Sequence, residues 1–277
     1  TRGNWFYWCF GVDNAKGKTL SFILNRNELL TTNGPAVSID GGNNWNWLNP
    51  KANWKNSFKY CFKNNAEVQF CMGMEYTEKQ FYQFIRPKLK SKYLLLDLLT
   101  TTKSGRCVER LFVKSPNSDA KYKVIITGRH HAGEMMSNYV MEGMIQEILK
   151  DNWLKDNVEF CFIPFIDKDG VENGDQGKNR SPRDHNRDYD NISLYPSTSE
   201  IRKWVPQWAE NKLKVAIDIH CPYIKGADNE YIYIVGSANS IIAEHEKSFC
   251  SLLKLNNKHE LQLSEKMYYS FNKGWNT

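Results

Sequence analysis

The chain has no apolar run near the roughly 18 residues that a membrane-spanning helix needs. Its longest apolar stretches, residues 124–128 (VIITG) and 162–166 (FIPFI), have the length of buried strands. A membrane partner is therefore not expected, and the mean hydropathy of −0.61 points the same way. Long blocks of one charge are also missing: 37 basic and 31 acidic residues are interspersed, for a net charge of +6. That pattern reads as a solvated mixed surface and gives no indication of nucleic-acid binding. The seven cysteines form no Cys-x-x-Cys pair. Odd in number and mostly set in apolar runs, they read as buried thiols, which favours a reducing, cytoplasmic compartment. No repeat or low-complexity segment is present. Residues 1–12 (TRGNWFYWCFGV) lack an initiator methionine and the regions of a signal peptide, so we expect that something upstream has been removed. Residues 271–277 (FNKGWNT) carry no closing helix or strand, and the folded unit is expected to continue past Thr277.

What is present is the composition of a folded globular protein: 277 residues, 41% hydrophobic, 25% charged and 13% aromatic. The length suits one large domain or two modest ones. From Trp5 to about Met74, short alternating segments (WFYWCFGV, KTLSFILN, AVSID, SFKYCFK, EVQFCMGM) are separated by turn sequences such as DNAKGK and DGGNN. This spacing predicts a small antiparallel β-sandwich over residues 1–76. Thr77 and Gln80 then form a capping box ahead of a helix that Pro87 ends. Beyond it, apolar strands (RCVERLFVK, KYKVIITG, VEFCFIPFID, KVAIDIH, EYIYIVG) alternate with helices near residues 134–150, 197–211 and 240–255. That grammar predicts, over residues 77–277, an α/β domain with a mixed, mostly parallel sheet covered by helices on both faces.

In such a sheet, ligands collect outside the carboxyl ends of the strands. Three strand ends carry reactive groups: Arg129-His130-His131-Ala132-Gly133-Glu134 after VIITG, Asp184-His185-Asn186-Arg187 in the polar loop after FIPFID, and His220 after VAIDI. His131 and Glu134, three residues apart where a strand gives way to a helix, can converge on one point, and His220 can join them from another strand end. Two imidazoles and one carboxylate are a catalytic zinc set with the fourth position left to water, which the metal would acidify into a nucleophile. His130 competes with His131 for the ligand role, and the three-residue offset to Glu134 favours His131. In the polar loop at residues 168–190, Arg187 offers a planar fork for a substrate carboxylate, with Asn186 beside it. The run Asp167-Lys168-Asp169-Gly170 superficially suggests a calcium loop, but its glycine falls at the fourth position and Val171 takes a ligand position.

Together RHHAGEMMSNYVMEGMIQEIL, IDKDGVENGDQGKNRSPRDHNRDYD and AIDIHC resemble the zinc metallocarboxypeptidases, in particular the cytosolic-carboxypeptidase-like branch and its bacterial relatives, over nearly the whole chain. The resemblance implies a β-sandwich before the catalytic domain and one bound Zn2+ with His131, Glu134 and His220 as ligands. It also implies that Asp184 orients a ligand histidine and that Asn186 and Arg187 hold the substrate's terminal carboxylate. An upstream arginine that polarises the scissile carbonyl is implied as well; Arg180 is the choice, with Lys178 and Arg183 as competitors. The family's general-base glutamate and its specificity pocket should lie past Thr277. Glu230, Glu244, Glu246, Glu260 and Glu265 read as ordinary surface charges.

The expected function is a zinc-dependent carboxypeptidase acting on the C-terminus of a peptide or protein. Two alternatives share the residues: a zinc amidase or deacylase acting on N-acyl amino acids or peptidoglycan stem peptides, and a non-catalytic peptide-binding homologue. Oligomeric state is not legible.

Overall fold

A computed structural model describes residues 6–26, 29–48, 55–64, 67–116, 119–190, 192–221, 231–257 and 263–273. The chain divides into two compact units, Thr1–Pro222 and Tyr223–Thr277.

The first unit begins with six short strands: β1 (Cys9–Val12), β2 (Thr19–Ile23), β3 (Ala36–Ser38), β4 (Asn46–Trp47), β5 (Ser57–Cys61) and β6 (Val68–Cys71). They pair antiparallel into a four-stranded sheet, β1-β6-β3-β4, and a ribbon, β2-β5. Their alternation places Phe10 and Phe70 from the sheet against Phe22 and Phe58 from the ribbon, with ring centroids 4.9–5.6 Å apart. Tyr60 and Phe62 close this aromatic core around the fully buried Phe70. Cys9 and Cys71 stand opposite each other across the β1-β6 ladder and form a disulfide, so they are not the buried thiols expected from their apolar surroundings. Of the five free cysteines, Cys61 and Cys107 are exposed and only Cys161 and Cys250 are buried.

Helix α1 (Glu78–Ile85) follows, entered through Thr77, whose backbone N–H and hydroxyl both donate to Gln80 Oε1 at 3.0 and 2.7 Å. Next come β7 (Leu94–Thr101), β8 (Cys107–Val113), β9 (Tyr122–Gly128), α2 (Met136–Lys150), α3 (Asn152–Asn157), β10 (Val158–Ile163), α4 (Lys168–Glu172), α5 (Pro196–Ala209) and β11 (Leu213–Ile219). The five strands form one sheet in the order β11-β9-β10-β8-β7. The β11-β9 and β9-β10 ladders are parallel, whereas β10-β8 and β8-β7 are antiparallel. Successive residues of β10 point to opposite faces. Phe162 lines one small cavity with Met141 and Ile145 of α2, while Cys161 and Ile163 join Phe112 and Ile201 of α5 in the other core. Helices thus cover both faces.

Strand β10 lies on one side of β9 and β11 on the other, so the chain reverses its progress across the sheet at β9. The carboxyl end of β9 is the switch point where this class of sheet builds its sites. The polar loop after β10 contains more regular structure than its composition suggests: Asp167 caps α4 by accepting from Gly170 N–H at 2.9 Å, and residues His185–Arg187 form a 3₁₀ turn.

The second unit contains β12 (Ile232–Val235), α6 (Ser240–Asn256) and β13 (Leu263–Tyr269), a β-α-β arrangement with parallel strands. Among the described residues no helix is long and apolar enough to cross a membrane.

Truncating a fully buried aromatic removes its transfer free energy and leaves a cavity. Phe70→Ala is expected to cost about 3–5 kcal/mol, read from the shift of the urea unfolding midpoint. A loss under 1 kcal/mol would show that the aromatic core does not hold the two N-terminal sheets together.

Candidate metal centre

Strand β9 ends at Gly128, and Arg129 turns the chain with a positive φ of 60°. Its buried guanidinium grips the turn that follows. Nε donates to Ala132 O at 2.8 Å, joined there by Nη2, and Nη1 donates to Tyr76 O and Asn138 Oδ1, both at 2.7 Å. From outside, the polar loop is pressed onto the same turn. Gly133 N–H donates to Gln176 O at 2.9 Å, and a Cβ on Gly177 (φ 79°) would lie 2.4 Å from Ala132 N, so that position demands glycine.

Held this way, His131 and Glu134 face one another, with His131 Nδ1 2.9 Å from Glu134 Oε1. His220, just past the end of β11, brings its Nδ1 to 2.8 Å from the second oxygen, Glu134 Oε2, which also accepts from Cys221 N–H at 3.0 Å. Ligand atoms of His131, Glu134 and His220 all lie within 4.8 Å of one another. Behind each imidazole stands another carboxylate: Asp184 Oδ2 is 3.7 Å from His131 Nε2, and Asp218 Oδ2 is 2.6 Å from His220 Nε2.

Burial alone would raise the Glu134 pKa, but hydrogen bonds with His131 and His220 outweigh it and hold the carboxyl far below its ordinary value. For His220, burial opposes protonation, yet the contacts with Asp218 and Glu134 push it up to about 10. His131 is raised likewise against its burial, by Asp184 and Glu134. Three carboxylates thus surround two imidazoles, a surplus of negative charge that a divalent cation, taking the place of the imidazole protons, would largely offset. Two nitrogens and a carboxylate suit zinc better than calcium or magnesium.

The remaining residues singled out from the sequence lie around this cluster. Asn186 is half-buried and Arg187 is exposed, the second and third residues of the 3₁₀ turn that His185 begins, with Arg187 Nη1 3.4 Å from Asn186 O. Arg180 is held by Asp167 through Nη2 and by Asp175 at 3.2 Å through Nη1. Arg183 is tied to the fully buried Asp188 at 3.1 Å. His130, the competing histidine, points away from Glu134 and toward Asp218 and Tyr189. Among the glutamates, Glu246 accepts from Ser237 N–H and Tyr268 Oη inside the second unit, and Glu244 is exposed on α6. Glu230 and Glu260 lie outside the described residues, as does the Glu265 side chain.

Sequence reasoning missed Asp218, Arg129 and Tyr189. The signal for Asp218 was available: in AIDIH it stands two residues before His220, on the same face of a strand whose neighbours are otherwise apolar.

A His-Glu-His cluster at the carboxyl ends of two adjacent parallel strands of a mixed α/β sheet is a group of the two-imidazole, one-carboxylate kind that could hold a metal ion. The chain belongs to the zinc carboxypeptidase family, which residues 82–250 match. It is 26% identical to human cytosolic carboxypeptidase 6 over 249 residues, 78% of this chain and 49% of that protein. With Caenorhabditis elegans cytosolic carboxypeptidase 6 it shares 27% identity over 213 residues, 72% of this chain and 46% of the relative. With zebrafish (Danio rerio) cytosolic carboxypeptidase 2 the match is 28% over 181 residues, 60% of this chain but 25% of the relative. The chain therefore spans half or less of the length of these relatives. In fold it resembles the crystal structure of a metallo-carboxypeptidase from Burkholderia cenocepacia, with a TM-score of 0.71 at 17% identity over 96% of this chain and 73% of that one. A metallo-carboxypeptidase from Pseudomonas aeruginosa, in complex with (2-guanidinoethylmercapto)succinic acid, gives a TM-score of 0.67 at 18% identity over 93% of this chain and 72% of that one.

His185 supplies a pH test of the loop that carries these residues. Its ring stacks on Tyr195 with centroids 3.7 Å apart, and burial, helped by the Arg180 charge, pushes its pKa down to about 3. In the unfolded chain the imidazole takes up a proton near pH 6.5, so acid favours unfolding throughout the window between the two values. Asp167, pushed up to about 6 by burial, acts in the opposite sense over part of that window, which makes the difference between proteins the quantity to measure. Relative to the native protein, His185→Gln should gain about 2 kcal/mol of unfolding free energy between pH 7 and pH 5, read from urea titrations at both values. Parallel behaviour of the two proteins would show that His185 titrates normally in the fold.

Proposed function

We propose that this chain carries the metal-binding core of a zinc-dependent metallocarboxypeptidase that hydrolyses the C-terminal peptide bond of peptides or proteins. The observation that carries the reading is the convergence of His131, Glu134 and His220, each imidazole backed by a carboxylate, in a chain of the zinc carboxypeptidase family. In this reading those three residues hold a single Zn2+. Zinc bound there supplies a Lewis acid that polarises a carbonyl and makes water nucleophilic at neutral pH.

The chain's own residues account for the rest. Asp184 faces His131 Nε2 and so orients that ring with Nδ1 toward Glu134. Arg187, exposed at the 3₁₀ turn, and Asn186 beside it offer donors for a free terminal carboxylate, and the planar guanidinium can bind it bidentately. An anchor for a terminal carboxylate makes the reaction an exopeptidase reaction. Arg180, steadied by Asp167 and Asp175, provides the fixed positive charge that stabilises an oxyanion as the carbonyl is attacked. That the matched relatives are cytosolic carboxypeptidases supports a cytoplasmic setting, and the Cys9–Cys71 disulfide counts against it.

Peptides with a free C-terminus and the same peptides amidated there separate this reading from its rivals. The full-length protein should release the last residue only from the free form, lose that activity to a zinc chelator and regain it with added zinc. Arg187→Ala removes a charge-assisted hydrogen bond worth about 1.5–3 kcal/mol, which corresponds to a fall of about 10- to 150-fold in kcat/KM. Equal cleavage of free and amidated peptides, or activity confined to N-acyl amino acids, would overturn the proposal.

A further inference from the structure

His220 belongs to a second cluster as well as the first. Ligand atoms of His130, Asp218 and His220 also lie within 4.8 Å of one another. Two adjacent histidines therefore serve different neighbours: His131 turns toward Glu134, and His130 turns toward Asp218, with its Nδ1 2.8 Å from Asp218 Oδ1. The same Asp218 oxygen lies 2.8 Å from Thr127 Oγ1, and the other lies 2.6 Å from His220 Nε2. On the far side of His130, Nε2 is 2.6 Å from Tyr189 Oη.

The hydrogens in this chain of contacts can be assigned by elimination. An ionised carboxylate only accepts, so the partner holds the proton at every Asp218 contact: Thr127 on its hydroxyl, His130 on Nδ1 and His220 on Nε2. In a neutral His130 with Nδ1 protonated, Nε2 carries a lone pair and the Tyr189 hydroxyl donates to it. Burial first, then the charges of Asp218 and Asp188, raise the Tyr189 pKa, which keeps that proton in place. For His220 the consequence falls on the opposite side of the ring. Nδ1 stands beside Glu134 and, without a metal, must donate a proton there as well. A metal that takes up Glu134 displaces that proton, while the one on Nε2 stays with Asp218, so Nδ1 is the nitrogen that ligates.

We propose that Tyr189, His130, Thr127 and Asp218 form a tautomer lock that fixes the orientation and protonation of His220 and thereby sets the affinity of the metal centre. This inference rests on the metal-centre reading above and adds positioning residues to it. A second cation bound by His130, Asp218 and His220 is disfavoured by the same accounting, because Asp218 would have to surrender hydrogen bonds from Thr127 and both imidazoles to ligate one. The lock also reaches the polar loop. Tyr189 stands two residues after Arg187, so the segment that presents the carboxylate anchor is the segment that closes the chain of hydrogen bonds.

The test is zinc affinity, measured on the full protein by competition with a chromophoric chelator, together with metal content and the unfolding of the metal-free forms. The native protein should hold one zinc per chain. Asp218→Asn keeps the shape of the side chain but can turn an N–H toward His220 Nε2, which selects the tautomer that cannot ligate. It should weaken zinc binding by about 10- to 100-fold, the usual cost of losing a carboxylate behind a ligand histidine, with metal-free unfolding close to native. Tyr189→Phe, which removes one hydroxyl and keeps the ring, should weaken it by a smaller factor. The visible spectrum of the cobalt(II)-substituted protein, which reports ligand geometry and not overall stability, should change in Asp218→Asn. Should Asp218→Asn fail to fold, Tyr189→Phe decides the matter. Native zinc affinity in the folded variants, or two zinc ions per native chain, would overturn the lock while leaving the first metal centre intact. A native protein that binds no zinc would instead remove the metal centre itself, and the lock with it.

Discussion

A carboxylate withdrawn from water costs several kcal/mol unless charges and hydrogen bonds compensate it. Glu134, 1% exposed at the mouth of the α/β sheet, meets that requirement by setting one oxygen against His131 and the other against His220 and the Cys221 N–H. The rest of the site follows from this compensation. Two strand ends must arrive at the same point, which fixes the β9-β11 ladder. The turn between β9 and α2 must be rigid, which accounts for the buried guanidinium of Arg129 spanning Ala132, Tyr76 and Asn138. Each imidazole must also present Nδ1 inward, which accounts for the carboxylates of Asp184 and Asp218 on their outer sides.

Convergence of the two histidines and the glutamate was legible because each follows a strongly apolar strand, and such strands in a parallel pair deliver their ends to one edge. The N-terminal sheets were legible for a similar reason, since alternation and turn residues recur there at short intervals. Strand β7 was not. Its run of leucines (LLLDLLTT) lacks alternation, leucine also favours helix, and a register shift between Leu98 and Thr100 breaks the pattern further. Strand β4 is two residues long and leaves no periodicity to read.

Within the site, sequence reasoning took the polar loop as a source of groups for a substrate carboxylate and did not foresee how much of it is buried. Lys168, Gln176, His185 and Asp188 are buried, because each is paired or stacked. Lys168, for example, sits between Glu109 and Glu78, at 2.9 and 2.7 Å. Composition cannot distinguish a hydrated loop from one whose polar groups satisfy one another, since the difference lies in partners supplied by remote segments. Asp218 was overlooked for the complementary reason: one acid in an apolar strand looks incidental until its two imidazole neighbours are in view.

The side chain of Gln176 gives the N-terminal region a stake in this chemistry. Its Oε1 accepts from the backbone N–H of Phe6 at 2.7 Å and of Tyr7 at 3.3 Å, while its carbonyl oxygen receives the Gly133 N–H inside the metal-binding turn. One residue thus rivets the segment leading into β1 to the β9–α2 turn that carries His131. Trimming the protein to its α/β portion would unfasten that rivet, so the aromatic sheets behave as part of the chassis and not as a detachable accessory.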